Sequence, residues 1–288
     1  MNGILLCHKP PGIRSFEVVE RVRRRLGGVR TGHTGTLDRF AEGLLILLTG
    51  RCTRLTPIFH SLSKEYEAVI EFGKETDTLD PEGRIIQVGP VPEEKALKET
   101  LGRFLGTYEQ IPPAYSALRV GGRRAHDLAR RGEEPDLAPR RVEIYALSLL
   151  EWRPPYATVR VSCSGGTYIR ALARDIGSRL GTCAYVSELK RTAIGPISSD
   201  GAVHPDEVTG EDVLTPEAFL NAYPETAPPL TVKPSHERGI PHGIPLSDHT
   251  WDTPPEAQGY YTVVSRDGRV LAFIEKAEER YRYICVLP

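Results

Sequence analysis

The 288-residue sequence is short of methionine, with one, of tryptophan, with two, and of cysteine, with five. The cysteines (Cys7, Cys52, Cys163, Cys183 and Cys285) are odd in number and include no CxxC pair, so neither a disulfide framework nor a thiolate zinc site is indicated. A reducing cytoplasm is the expected setting. The eight histidines show no HxE or HExxH spacing, and no metal role is predicted. No apolar run approaches the roughly 18 residues of a membrane span, and residues 1–10 lack the basic start, long apolar stretch and cleavage site of a secretory leader. A soluble, untargeted chain without membrane contact is expected. Fixed-period repeats and low-complexity tracts are also lacking.

The formal net charge of −1 conceals an uneven distribution. Residues 1–199 hold 30 Lys and Arg against 23 Asp and Glu, whereas residues 200–230 hold seven acids and neither Lys nor Arg. Of the 37 basic residues 29 are arginine, which favours forked contacts to phosphate over point charges. A basic body beside an acidic stretch suggests a polyanionic partner, with ordinary solvation of helix surfaces as the plain alternative.

Residues 3–7 form an apolar run leading into His8-Lys9-Pro10-Pro11-Gly12, the pattern of a strand entering a turn. Ser15 is then expected to cap a helix with an apolar stripe of Phe16, Val19, Val22 and Leu26, its other faces crowded by Arg21, Arg23, Arg24 and Arg25. Residues 44–48 read as a strand, and in residues 64–73 the alternation of Tyr66, Ala68, Ile70 and Phe72 predicts a half-buried one. Residues 92–104, 123–131 and 167–180 look helical, and residues 142–152 and 156–163 look like paired strands. Strands and helices do not alternate as strict βαβ units, so an α+β fold is expected. The acidic residues 200–230 have the character of a connector holding a short helix within residues 211–222, and a second domain is expected from about residue 231. In that domain Arg266-Asp267-Gly268 marks a hairpin.

The densest cluster of reactive and loop-making residues is Gly32-His33-Thr34-Gly35-Thr36-Leu37-Asp38, followed by Ala41-Glu42-Gly43-Leu44-Leu45. Three readings compete. A phosphate cradle would use the exposed amides, but no Gly-Lys-Ser/Thr follows. A plain surface loop would have Asp38 bonding its own backbone. The third reading makes Asp38 a nucleophile.

As a whole string, GHTGTLDxxAxGLL resembles the catalytic-loop signature of the TruB family, the bacterial tRNA pseudouridine synthases that isomerise the T-loop uridine. Residues 3–12 with Ser15 resemble the family's opening words, and Lys64-Glu65-Tyr66 with Ala68 and residues 73–83 (GKETDTLDPEG) resemble its second motif. Residues 110–117 (QIPPAYSA) and 163–175 (CSGGTYIRALARD) supply the third and fourth, and Leu189-Lys190-Arg191-Thr192 with Gly195-Pro196 the fifth. This order over residues 3–196 is very specific. Arg119 and Gly165 stand where members commonly have lysine, and His126 where tyrosine is usual. Residues 231–288 resemble the family's PUA-like RNA-binding domain loosely, through residues 239–245 and the terminal hairpin.

The resemblance implies a catalytic domain in residues 1–230, connector included, with a mixed, largely antiparallel sheet, and a small β-rich PUA-like domain in residues 231–288. It implies the T-stem and loop of tRNA as partner and a reaction without cofactor or metal; a monomer is the default expectation. Asp38 matches the nucleophile and Arg170 the arginine that pairs with it, a neighbour that favours the ionised carboxylate. Tyr66 matches the tyrosine that stacks on the target base, Tyr168 a second active-site tyrosine, and Leu189 an apolar wall. His33 matches the residue beside the stack that an everted uridine vacates. Arg21, Arg23, Arg24, Arg123, Arg124, Arg130 and Arg131 are candidates for phosphate contacts. Two other classes compete with this one: an RNA-binding or RNA-folding protein whose catalysis is secondary or lost, and a small-molecule hydrolase using Asp38. A pure binder has no chemical need for the Asp38, Tyr66, Tyr168 and Arg170 set, and a hydrolase leaves the basic body unexplained.

Overall fold

A computed structural model describes residues 1–287 apart from 117 and 134, and the side chain of residue 126 is likewise outside what it describes. The His126 departure and Ala117 of the third motif therefore lie outside the described residues. The chain divides into two compact units, residues 1–62 with 193–288, and residues 63–192.

In the first unit Gly3–Lys9 pairs antiparallel with Glu42–Thr49, from Gly3 opposite Thr49 to Lys9 opposite Gly43. Thr31–His33 pairs with the same long strand. Residues 44–48 are wholly buried because both faces are covered, which is why they read as a continuous apolar run. Leu45 and Leu47 pack with Val18, Val19 and Val22 of the helix Ser15–Arg25, while Leu44, Ile46 and Leu48 face Ile58, Phe59 and Phe219. The helix stops where Gly27 and Gly28 take positive φ. Its buried stripe differs from the expected one: Val18 is fully buried and Phe16 is 66% exposed. Ser15 begins the helix instead of capping it, its hydroxyl being bonded elsewhere.

The acidic residues 200–230, read as a connector, are built into this unit. Val203 and Leu214 exchange backbone hydrogen bonds of 2.9–3.0 Å with the first strand, through Leu6, His8 and Ile4. Val208 and Val213 enter the core with the helix. The acids stay outside on a segment whose scattered apolar residues bind it down, and charge composition masked that spacing.

The strands Pro229–Thr231, Gly259–Val264, Val270–Ala277 and Arg280–Val286 lie in that order in a small sheet, parallel at the first pairing and antiparallel at the next two. One face packs on Val232, Ile240 and Trp251. Val264, Val270, Phe273, Cys285 and Leu287 instead join the cluster that holds Ile46 and Phe59. The expected boundary at residue 231 thus falls inside the first unit.

The second unit is a sheet in the order Ala184–Ile194, Lys64–Phe72, Tyr156–Cys163, Arg140–Arg153, Gly106–Gln110, antiparallel across its last three pairings. Tyr66, Ala68, Ile70 and Phe72 are buried, as their period-2 spacing predicts. The helix Ile169–Arg179 buries Ile169, Ala171, Leu172, Ala173 and Ile176. Residues 123–131 depart from the helix expected throughout. Arg119–Val120 and Arg123–Arg124 instead form a hairpin at Gly121 and Gly122, both at positive φ, and only Ala125–Ala129 is helical. The fold is α+β with largely antiparallel sheets, as expected. Among the described residues no helix is long and apolar enough to cross a membrane.

Candidate active site

Asp38 and His33 belong to the first unit, and both are partly exposed. The loop that carries Asp38 is pinned on each side of it. The Ser15 hydroxyl accepts the Leu37 N–H at 3.0 Å and donates to the Leu37 carbonyl at 3.1 Å, so both main-chain groups of the preceding residue are bound to one side chain. On the other side Lys9, at 0% exposure, donates from Nζ to the carbonyls of Pro10 (3.0 Å), Arg39 (3.1 Å) and Ala41 (2.5 Å). A buried ammonium is tolerable only when its protons are so engaged. The Gly12 N–H donates to Arg39 O at 2.8 Å, and Arg39 Nε donates to Gly12 O at 2.9 Å. Asp38 is therefore presented from a backbone with little freedom. Sequence reasoning gave Lys9 no role and Ser15 only that of a helix cap, although both fall in the opening words of the motif series.

The second unit carries Tyr66, Tyr168, Arg170 and Leu189. Tyr66 is buried on Lys64–Phe72, opposite Val161, and Leu189 is buried on Ala184–Ile194. Arg170 lies in the first turn of Ile169–Arg179 at 4% exposure. Its guanidinium donates to the carbonyls of Thr78 (2.8 Å) and Tyr115 (3.0 Å) and forms an ion pair with Asp80 at 3.4 Å. Although it sits on a helix, Arg170 is not a surface arginine: its side chain points inward.

Asp80 is itself aimed. Its Oδ1 accepts from the Thr78 hydroxyl at 2.5 Å and from the Glu82 N–H at 3.0 Å, and its own N–H donates to the Thr76 hydroxyl at 3.0 Å. The turn includes Leu79 at φ 61°, a left-handed conformation uncommon outside glycine. Asp80 was not singled out in the sequence, although it lies in the second motif.

Lys64 and the buried Arg191 add positive charge to this unit. Burial first, then the Arg191 charge, pushes the Lys64 ammonium down to about 8. Farther along, Arg119, Arg123, Arg124 and Arg131 line an open groove with Gly122, Asp127 and Leu128. Arg123, Arg124 and Arg131 were phosphate candidates; Arg119 is a fourth member of the same wall. In the first unit Arg21 pairs with Asp206 at 2.9 Å, Arg23 pairs with Glu20 at 3.3 Å, and Arg24 donates to Glu20 O at 3.2 Å. Among the described residues no group of three His, Cys, Asp or Glu is placed to hold a metal ion.

A model of the TruB family pseudouridylate synthase N-terminal domain matches residues 23–169, and a model of the tRNA pseudouridylate synthase B C-terminal domain matches residues 170–224. The chain is 43% identical over 229 residues to the tRNA pseudouridine synthase B of Bordetella avium, covering 78% of this chain and 93% of that one. It is 42% identical over 224 residues to the protein of that name from Aquifex aeolicus, covering 76% and 77%. To its Treponema pallidum namesake it is 45% identical over 219 residues, covering 68% of this chain and 60% of the relative. Among solved structures, an archaeal box H/ACA sRNP Nop10-Cbf5 complex contains a chain of TM-score 0.72 and 22% identity, covering 99% of this chain and 86% of that one. A chain of a Cbf5-Nop10-Gar1 complex gives a TM-score of 0.74 at 23% identity, with 99% and 83% covered. At these identities the likeness is one of fold.

Proposed function

Since the chain belongs to the TruB family of pseudouridylate synthases, we propose that it isomerises a T-loop uridine of tRNA to pseudouridine, with Asp38 as the nucleophilic or cation-stabilising group. The reaction breaks the N1–C1′ bond, turns the base and joins C5 to C1′, exchanging the C5 proton for one on N1. It is redox-neutral, and the reading includes no metal or cofactor. What it requires is a carboxylate held ready to meet an electron-poor sugar or base.

The observation that carries the reading is the double clamp on the Asp38 loop, Ser15 on Leu37 and Lys9 on Arg39 and Ala41, which a plain surface loop has no need of. In this reading Tyr66 stacks on the everted base, Tyr168 and Leu189 line its pocket, Arg170 supports the charge chemistry, and His33 fills the vacated stack. Arg123, Arg124, Arg130 and Arg131, with Arg21, Arg23 and Arg24, contact phosphates of the T-stem and loop. Residues 1–230 carry the chemistry, residues 231–288 act as a PUA-like element on another part of the tRNA, and the enzyme works as a cytoplasmic monomer.

Tritium release from C5-labelled uridine in a tRNA transcript tests this. The wild-type protein is expected to release tritium and Asp38→Asn to release none while still binding tRNA. A tRNA-binding protein without catalysis would release none in either form, and release by Asp38→Asn would remove Asp38 from its role.

A further inference from the structure

Gln110 ends the strand Gly106–Gln110 and is 1% exposed, an amide in the interior of the second unit. Its Oε1 accepts the Tyr168 N–H at 2.9 Å and its Nε2 donates to the Tyr168 carbonyl at 3.1 Å. One side chain thus engages both main-chain groups of a single residue, as a neighbouring strand would. Nε2 also donates to the Tyr108 hydroxyl at 2.5 Å, and the Tyr108 ring stands edge-on to Phe104, centroids 5.4 Å apart. The orientation of the amide follows from these partners, since a reversed amide would set Oε1 against the Tyr168 carbonyl, acceptor to acceptor.

Tyr168 is extended, at φ −98° and ψ 110°, and precedes the helix that carries Arg170. No side chain of its own caps that helix, while its carbonyl already accepts the Leu172 N–H at 3.0 Å. The residue that sets both the tyrosine and the entry to the helix is therefore held from outside the helix, by an amide 58 positions earlier. Five residues beyond that amide, the Tyr115 carbonyl receives Arg170. The segment between them touches the start of the helix at two points.

We propose that Gln110 is a positioning residue for the isomerisation, acting through the backbone of Tyr168. The inference rests on the functional reading above, in which Tyr168 lines the uridine pocket. The amide supplies a donor and an acceptor at one site. A hydrophobic residue supplies neither, and a carboxylate supplies only acceptors. A protonated carboxyl group restores the pair, one oxygen accepting and the other donating.

Two variants test it, Gln110→Met, which keeps the approximate volume, and Gln110→Glu. Each is assayed for single-turnover pseudouridine formation with saturating tRNA transcript, for tRNA dissociation constant and for thermal midpoint. Gln110→Met is expected to slow the single-turnover rate at least tenfold with tRNA affinity within threefold of wild type. Gln110→Glu is expected to be slow at pH 8.5 and to recover toward the wild-type rate at pH 6.0, as its carboxyl group takes up a proton and donates again. A Gln110→Met rate within twofold of wild type, a loss confined to tRNA affinity, or unfolding of Gln110→Met joined to a Gln110→Glu deficit that ignores pH would overturn the positioning role. A wild-type protein that forms no pseudouridine would instead overturn the functional reading, so the two failures are distinguishable.

Discussion

Arg170 and Asp80 form a buried ion pair at 3.4 Å, and the carboxylate is fixed by a turn of its own before it meets the guanidinium. Sequence reading placed Arg170 beside a nucleophile. The structure pairs it with Asp80, 90 positions away within its own unit. Removing one member of a buried pair leaves the other charge uncompensated, so Asp80→Asn is expected to destabilise the protein by about 3 kcal/mol. It should also slow turnover more than it weakens tRNA binding. Urea unfolding together with single-turnover kinetics checks both, and an Asp80→Asn protein of wild-type stability and rate would show the pair to be idle.

The three carbonyls gathered by Lys9 make a second prediction. Lys9→Met fills similar space but leaves those acceptors without their buried donor, at about 1–3 kcal/mol for each group left unsatisfied. The loop bearing Asp38 should loosen. The expected kinetic signature is a fall in the rate of isomerisation of about tenfold or more with tRNA affinity retained, because the clamp binds backbone and not RNA. A loss of affinity at an unchanged rate would contradict it.

Lys64 predicts a pH dependence of stability. The free side chain titrates near 10.5 and the folded one near 8, chiefly through burial. Between those values the unfolded chain holds more protons than the folded one, so this group makes stability rise as pH increases from 8 toward 10.5. Below 8 the folded state bears the desolvated charge in full. Lys64→Met abolishes this contribution, so the difference between wild type and variant should move in favour of the wild type from pH 8 to pH 10. Urea midpoints at pH 7.5, 8.5 and 9.5 measure it; a constant difference across the three would rule it out.

The arginine groove predicts a salt dependence. Arg123→Ala and Arg124→Ala each remove a forked cation from the wall shared with Arg119 and Arg131. For every phosphate that thereby goes unneutralised, the slope of log affinity against log salt should become shallower by roughly 0.7 to 0.9. The effect should be similar for tRNAs of different sequence and small on the single-turnover rate at saturation. Unchanged slopes would assign these arginines to solvent.

Regular structure was readable where one periodicity dominates. The alternation from Tyr66 to Phe72 and the paired runs at 142–152 and 156–163 are the strands observed. Reading failed where two signals overlapped. Residues 200–230 look like a connector by charge, yet Val203, Val208, Val213 and Leu214 bind them to the first strand and helix. In residues 123–131 a helical composition gave way at its start to a hairpin that Gly121 and Gly122 impose. At the candidate site, the side chains proposed for the chemistry were nominated from motifs, whereas the contacts that hold their backbones were not.

Taken alone, the order of residues determined the strand and helix periods, the turns that need glycine, the uneven spread of charge and the family words around Asp38, Tyr66 and Arg170. Only the tertiary structure decided that Ser15 seizes Leu37, Lys9 the carbonyls beyond Asp38, Gln110 the backbone of Tyr168, and Arg170 the Thr78 carbonyl and Asp80. The physical reason is range. A periodic pattern is written among neighbours a few residues apart, but a hydrogen bond needs two atoms within about 3 Å, and these partners are 22 to 92 positions apart along the chain.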